Sequence, residues 1–463
     1  MLRKIFKFSF LLFTTFAFAQ TGHLMQGVGA VNMSMGGAAT AQPLDISGAM
    51  HWNPATLSAF DGSQIKLDVG AFFSSPELYS SMPAFPADAF FPGSPATPAL
   101  SGSIEDDLGT SVMPALAFSW GDADSKNTFG VSMFGISGFG VDFPEDSNNY
   151  GNPNFDPTQS ASPISFPQQF SGFGHIESNY MLLQIGFTWA YEISDKLSIG
   201  IQPTINYSAL ELSPNPLANP SMTAGYPKSD KATAFGFGGQ IGVFYDTQTG
   251  FKVGASYKTP QYFSEFEFDN TYLDATTSTN TFTMNYPAIY SVGLGYSKSD
   301  FDLALDYRFV NYEGTEGFEE TGWTPTASIQ GFGWNSMSVV SFGLQYKGID
   351  KLPLRLGYTY SSNPIDEELT MFSVPATAVI ANAFQFGASY DINDSFRIDG
   401  VYHYGMSDGK TEGEMLNPQM ISPTNPLGKI PGSYVGYDMT TSMIQFGISY
   451  KFGNKSETVE VTE

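Results

Sequence analysis

The sequence predicts an all-β protein, a transmembrane antiparallel β-barrel of about 14 strands with an N-terminal helical hatch (plug) inside the lumen. Three observations predict it. Apolar and polar residues alternate with period two through most of the chain, the mark of strands whose two faces meet different surroundings. Short polar turns alternate with long connections, the asymmetry of barrels with a periplasmic and an extracellular rim. A secretory leader is followed by no apolar run long enough for a membrane helix, so a membrane form of the mature chain must be a barrel.

Composition narrows the function classes. Charged residues make up 14% of the chain, against roughly 25% in average soluble proteins. Gly (48), Phe (41) and Tyr (24) are heavily used, and Cys is absent. The missing cysteine excludes a disulfide scaffold, a thiolate metal site, a cysteine nucleophile and a lipidated N-terminal cysteine. A net charge of −25 speaks against binding nucleic acid through bulk electrostatics.

Residues 1–19 read as a signal peptide. Arg3, Lys4 and Lys7 precede an apolar stretch that closes in Ala17-Phe18-Ala19, and polar residues Gln20, Gly22 and His23 follow too soon for a membrane anchor. Cleavage after Ala19 leaves a mature chain starting at Gln20. Residues 20–62 hold no convincing strand; they carry Gly27-Val28-Gly29-Ala30, Met35-Gly36-Gly37-Ala38-Ala39, Asp45 and then Asn53-Pro54-Ala55. Physically this is a compact helical or irregular segment ahead of a barrel wide enough to hold it, hence a hatch, with a periplasmic extension as the alternative.

The barrel is expected over residues 63–453, with strands near 63–74, 111–120, 126–138, 178–192, 196–212, 231–246, 250–260, 279–297, 300–312, 334–347, 352–361, 375–391, 394–406 and 439–453. The alternation is plain in Phe301 to Phe309, where Phe301, Leu303, Leu305, Tyr307 and Phe309 oppose Asp302, Ala304, Asp306 and Arg308. Aromatic residues at strand ends, among them Trp120, Trp189, Tyr191, Tyr257, Tyr296, Tyr346, Tyr390 and Tyr450, sit where amphipathic rings settle at a membrane interface. Tyr450-Lys451-Phe452 resembles a terminal barrel-assembly signal, and residues 454–463 are expected to be a periplasmic tail.

The order Met35 to Ala38, Asp45, then Asn53-Pro54-Ala55, all between a signal peptide and the first strand, resembles the hatch of the FadL-type outer-membrane transporters. The resemblance extends over the mature chain in strand count and loop alternation. It implies an outer-membrane channel for passive uptake of long-chain fatty acids or other hydrophobic compounds, with no cofactor or energy source, working as a monomer among outer-membrane lipid and lipopolysaccharide. It also implies a kink in strand three that opens a lateral exit. The glycines of that strand, Gly135, Gly138 and Gly140, permit such a bend.

Hatch gating is assigned to Asn53, Pro54 and Ala55, which are expected to fix the plug to the barrel wall through backbone and amide hydrogen bonds. Phe85, Phe90 and Phe91, among stiffening prolines of the first long loop, offer an apolar capture surface; Phe143, Phe155, Phe166, Phe170 and Phe173 do so in the second. The alternative is that these rings pack the loops over the mouth. Alternation sends Lys66, Lys252, Lys258, Arg308, Arg355 and Arg397 into the lumen beside Asp68, Asp302, Asp306 and Asp399. Arg308, Arg355 and Arg397 are candidates for a ligand carboxylate, or they pair with the neighbouring aspartates.

No catalytic or metal-binding residue is proposed: His23, His51, His175 and His403 lack ligand spacing, and no nucleophile elbow or phosphate loop is present. A second function class keeps the barrel but makes it a protein-secretion shuttle or scaffold. A third, a surface adhesin or soluble binding sandwich, predicts a detergent-independent protein.

Overall fold

In a computed structural model the described residues are 23–87, 95–122 and 124–453. The expected signal peptide, the tail 454–463, and Phe90 and Phe91 lie outside them.

Fourteen strands close a barrel. They are β1 (Gln64–Met82), β2 (Ser111–Trp120), β3 (Asn127–Phe143), β4 (Ile176–Ser194), β5 (Leu197–Ser213), β6 (Ala232–Asp246), β7 (Phe251–Lys258), β8 (Ala288–Lys298), β9 (Phe301–Asn311), β10 (Met337–Tyr346), β11 (Leu354–Ser361), β12 (Ile380–Asp391), β13 (Phe396–Ser407) and β14 (Tyr434–Lys451). Each pairs antiparallel with its chain neighbours, and β14 returns to β1 over an unbroken register from Gln64↔Lys451 to Ser81↔Tyr434. Closure leaves no sheet edge, which a lipid environment requires because it offers backbone groups no water.

The strands obey their period. In β1, Lys66, Asp68 and Gln64 are buried while Ile65, Leu67 and Val69 are exposed on the outside. The same outward row continues through Phe187, Ile201, Phe237, Leu305, Phe386 and Ile444. No described helix is long and apolar enough to cross a membrane; the apolar belt lies on the strands. At the short-turn rim Trp120 stacks between Phe118 and Phe129, and Tyr450 meets Phe452 edge-on. Toward the long-loop rim Tyr290 packs on Tyr257, and Tyr358 on Phe384. These are two aromatic girdles.

Two strands start later than the sequence pattern suggests: the twelfth begins at Ile380 rather than 375, after the 3-10 helix Glu367–Ala376, and the eighth at Ala288 rather than 279. Residues Thr277–Phe282 do not run into β8; they pair with Phe266–Thr271, which also pairs with Lys228–Ser229, in a separate sheet above the barrel. Pro287, immediately before β8, has no amide hydrogen to continue a ladder. Several strands also extend beyond the expected bounds at the long-loop rim, β1 to Met82 and β14 from Tyr434.

Residues 23–62 fill the lumen. Short helices Ala30–Ser34 and Ile46–Trp52 are followed by a 3-10 turn, Pro54–Ala59. Asp45 caps the second helix by accepting from the Gly48 amide at 2.9 Å, and Asn53 caps the 3-10 turn through the Ala55 amide, with Pro54 in the first-turn position where a missing N–H costs nothing. Helices this short do not stand alone; the barrel wall holds them.

Candidate functional site

The hatch is fastened to the wall at one carboxylate above all. Asp306 of β9 accepts from the Ala39 and Thr40 amides, both at 2.9 Å, from the Thr40 hydroxyl at 2.8 Å and from Arg308 at 2.8 Å. Arg308 also donates to the Gly37 carbonyl at 2.6 Å and lies 3.6 Å from the centre of the Trp52 ring. Asn53 Nδ2 reaches the Thr40 carbonyl at 2.8 Å and the Val243 carbonyl of β6 at 3.0 Å, so it ties one hatch loop to another and both to the wall. Trp52 presents its carbonyl to Gln240 at 2.7 Å.

A belt of inward glycines makes this contact possible. A Cβ at Gly200, Gly242 or Gly254 would overlap Ala55, Asn53 or the Thr40 carbonyl, and one at Gly343, Gly357 or Gly387 would overlap Met35, Gly36 or Ser34. The small-residue run of the hatch answers them. Gly36, at φ +66°, would drive any Cβ into the carbonyls of Tyr358 and Phe342 at 2.7 and 2.8 Å. Hatch and wall therefore meet backbone to backbone. This belt escaped the sequence reading, although glycine at lumen-facing parity on successive strands was its signal.

Below the hatch lies a charged floor. Lys66 is 2.6 Å from Asp399, 3.4 Å from Asp45 and 3.6 Å from Asp68, and Asp68 accepts from the Ala30 amide at 2.8 Å. Burial pushes the Asp45 carboxyl up, with Lys66 pulling it back. Arg355 bonds Gln345 and Ser389 at 2.7 and 2.8 Å, and Arg397 pairs with Asp391. A cavity of about 450 Å³ lined by Asp45, Lys66, Arg397 and Asp399 opens here. Lys258, fully buried, bonds Gln184 at 3.3 Å and has no carboxylate within 4.0 Å among the described residues.

Strand three breaks the wall. β2 and β3 pair only from Trp120↔Phe129 to Ala115↔Phe134. Beyond that, β3 shifts register against β4 between Gly135 and Ser137, a bulge at Ile136, and loses its β2 partner. A cavity of about 300 Å³ sits in the gap, lined by Val112, Met113, Pro114, Gly135, Gly138 and Phe139 among others. The first residues of the hatch supply what β2 does not. Met25 donates to the Ile136 carbonyl at 3.0 Å, while the His23 carbonyl accepts from the Gly138 amide at 3.0 Å and the Ser137 hydroxyl at 2.8 Å. Leu108 covers Gly140 from outside, where an added Cβ would come within 3.1 Å of it.

The His23 ring packs in a cluster of aromatic side chains, one of which, Tyr180, also lines the gap cavity. It stacks on Phe318 at 5.0 Å and 15°, and meets Tyr312, Trp334, Tyr180 and Tyr286 at 5.3 to 6.1 Å. Its Nδ1 is 2.7 Å from Tyr312 Oη. Burial holds its pKa down to about 3, so the imidazole is neutral.

Described loop residues pack against one another at the long-loop rim. Phe85 is partly buried against the loop core, and Phe155, Phe166 and Phe170 form a small cluster with Leu100 and Ala161. Phe143 is fully buried. Between loops, Ile164, Phe173, Pro214, Pro216, Trp323 and Phe372 line an apolar pocket. Among the described residues no cluster of His, Asp or Glu is placed to hold a metal.

A family model described as Outer membrane protein transport protein (OMPP1/FadL/TodX) matches residues 171–452. No curated protein sequence matches the chain. Among solved structures, the toluene transporter TodX of P. putida is 16% identical, covering 93% of this chain and 99% of that one, with a TM-score of 0.65. A FadL homologue of Pseudomonas aeruginosa is 13% identical over 95% and 100%, with a TM-score of 0.67. The Ralstonia pickettii toluene transporter TbuX is 18% identical over 92% and 99%, with a TM-score of 0.59. At these identities the likeness is one of fold.

Proposed function

The chain belongs to the OMPP1/FadL/TodX family of outer membrane transport proteins, and from that premise we propose that it passes hydrophobic small molecules inward by passive diffusion, with capture at the extracellular loops, gating by the hatch and release sideways into the membrane between β2 and β3. The observation that carries this reading is the wall gap itself. A cavity of mixed polar and apolar lining lies where β3 loses its partner, and three hydrogen bonds between β3 and the hatch residues His23 and Met25 close its inner edge. A solute leaving there never meets the polar floor under the hatch.

For capture we propose the apolar pocket between loops, to which Phe173, Trp323 and Phe372 contribute, with Phe85 supporting the loop packing. Asn53, Pro54 and Ala55 act in this scheme as the hatch anchor. Arg308 anchors it too, since its guanidinium already serves Asp306 and Gly37; Arg355 and Arg397 belong to the floor. Neither the loop pocket nor the gap cavity is lined by a cation, which favours neutral compounds. Toluene and monoaromatic channels are among the structural neighbours. A long-chain fatty acid would find in Lys258 one of the buried lumenal basic residues that bond an amide and no carboxylate.

The test is Gly135→Phe. A Cβ there meets Pro114 and Met113 only at 3.7 and 3.8 Å, so the ring enters the cavity without breaking the wall. Uptake of labelled toluene or palmitate by cells carrying the variant is expected to fall at least about tenfold, a barrier change of roughly 1.4 kcal/mol, with heat-shift gels showing normal barrel yield. Unchanged uptake of both compounds sinks the lateral exit.

A further inference from the structure

The wall gap has an outer side as well as an inner one. β1 runs on past the end of β2, pairing Phe72 with Ser111 and then Glu77 with Glu105 of the strand Leu100–Glu105, so residues 106–110 bridge the stretch between. Pro76 lies in that stretch and has no amide hydrogen to hold them to β1. Asp106 donates to the Pro76 carbonyl at 3.2 Å, and the chain then turns to β3 instead. The Asp106 carboxylate accepts from the Asp142 amide at 2.6 Å and from the Leu108 amide at 3.2 Å, while the Asp107 amide donates to the Asp142 carbonyl at 2.8 Å. His175, just ahead of β4, bonds the Asp142 carboxylate and fixes that end of β3. The β3 backbone that lacks β2 is thus met in turn, Ile136 and Gly138 by the hatch and Asp142 by this segment. The gap is a window with a closed frame, from Ala115↔Phe134 at one end to Asp107 on Asp142 at the other, roughly 25 Å of strand. Beyond the bulge Gly140 and Asp142 have the outward parity of β3. Leu108 lies over that face: its side chain is half-buried, comes within 3.1 Å of where a Gly140 Cβ would stand, and lines the gap cavity beside Thr110.

We propose that residues 106–110 form an outer lip on the lateral exit, in which Leu108 sets the cross-section of the compound that can leave and Asp106 is the positioning residue that holds Leu108 in place. The lip rests on the reading of the gap as the exit, and it adds the residue that selects among permeants. Leu108 offers a passing solute apolar atoms and no polar group, so it selects by shape. The root of the lip is firm, because a carboxylate that accepts main-chain amides makes charge-assisted bonds. Its end is soft: the leucine side chain can change rotamer, and a Cβ at the following Gly109 would meet nothing within 4 Å. A flat ring or a single acyl chain therefore needs only a turn of the Leu108 side chain to leave. A cage-shaped hydrocarbon needs the lip itself to move, which breaks the Asp106 bonds, and the exit favours thin solutes over thick ones.

The experiment compares uptake of labelled toluene, a flat ring, with that of labelled adamantane, a thicker cage, by cells carrying the full chain, less the uptake of cells without it; heat-shift gels check the barrel yield of every variant. Leu108→Ala is expected to raise the adamantane-to-toluene ratio at least about threefold, and Leu108→Trp to lower it by a similar factor. If the wild-type protein passes no adamantane, Leu108→Ala should admit it. Asp106→Ala should raise the ratio as Leu108→Ala does, and the two together should raise it no further, because both act through one side chain. Asp106→Ala should also speed hydrogen exchange at the Asp142 amide relative to other β3 amides, which a general loss of stability would not single out. The Leu108 variants carry the test if Asp106→Ala does not insert. A ratio that neither Leu108 substitution moves, or Asp106 and Leu108 effects that multiply in the double variant, overturns the inference; toluene uptake still stopped by Gly135→Phe then leaves the exit reading standing. Unchanged uptake of both compounds in Gly135→Phe and in every lip variant overturns the exit reading, and the inference with it.

Discussion

The two ends of the hatch are held by different means. From Met35 to Ala55 the segment lies backbone against backbone on the glycine belt and is bonded through Asp306, Arg308 and Asn53. From His23 to Met25 it is held by three hydrogen bonds to a bulged strand and by one ring in an aromatic box. Charge-assisted bonds in a buried setting are the strong ones, and a buried carboxylate with four donors is costly to strip. Neutral bonds at a strand irregularity are worth about 1 kcal/mol each. The difference teaches that the plug is not fastened evenly along its length: the residues on the wall gap are held by the fewer and weaker bonds.

Breaking the strong half should cost most. Asp306→Ala removes the acceptor of two amides and a hydroxyl and leaves Arg308 buried without its partner, so a loss of roughly 3–5 kcal/mol is expected in urea unfolding of the detergent-solubilised barrel. A loss under about 1 kcal/mol would place the anchorage elsewhere. Gly254→Ala, whose methyl overlaps the Thr40 carbonyl, should cost about 1–3 kcal/mol in the same assay. Gly400→Ala is the matched control, since its Cβ would meet nothing nearer than 3.8 Å.

Asn53→Ala gives up the bonds to Thr40, Val243 and the 3-10 cap, about 1–2 kcal/mol. It is expected to impair passage of a hydrophobic probe while a heat-shift gel shows normal insertion; normal transport would remove Asn53-Pro54-Ala55 from the gate.

The weak half should respond to acid, and by less. Burial lowers the His23 pKa to about 3, whereas a released His23 titrates near 6.5. The released state therefore binds a proton that the seated state refuses. Seating is fully favoured above pH 6.5 and is lost progressively as pH falls from 6.5 toward 3, by at most about 1.4 kcal/mol per pH unit. Hydrogen exchange at the Met25 and Gly138 amides should thus be faster, relative to other barrel amides, at pH 5.5 than at pH 7.5, and His23→Phe should abolish the difference. Equal relative protection at both pH values would break the contrast between the halves.

Much of this was written in the chain. The period of two, applied to Phe301–Phe309 or to residues 63–74, settles which side chains meet lipid and which the lumen, because successive Cβ atoms alternate across a strand whatever it pairs with. Turn and loop lengths set the strand number and the two rims. The order of Met35 to Ala38, Asp45 and Asn53 marked the hatch. Other features depend on residues far apart in sequence, and only the closed tertiary structure decided them. Asp306 meets Thr40 across 266 positions, the glycine belt becomes a track only when six strands place it beside one hatch, and Thr277–Phe282 becomes a loop strand only because Phe266–Thr271 is there to pair with it. His23 reads in the sequence as one scattered histidine. Its box is assembled from β4 and from loops after β7 and β9, and no local pattern records that convergence, since alternation determines a side chain's face and closure of the barrel determines its neighbours.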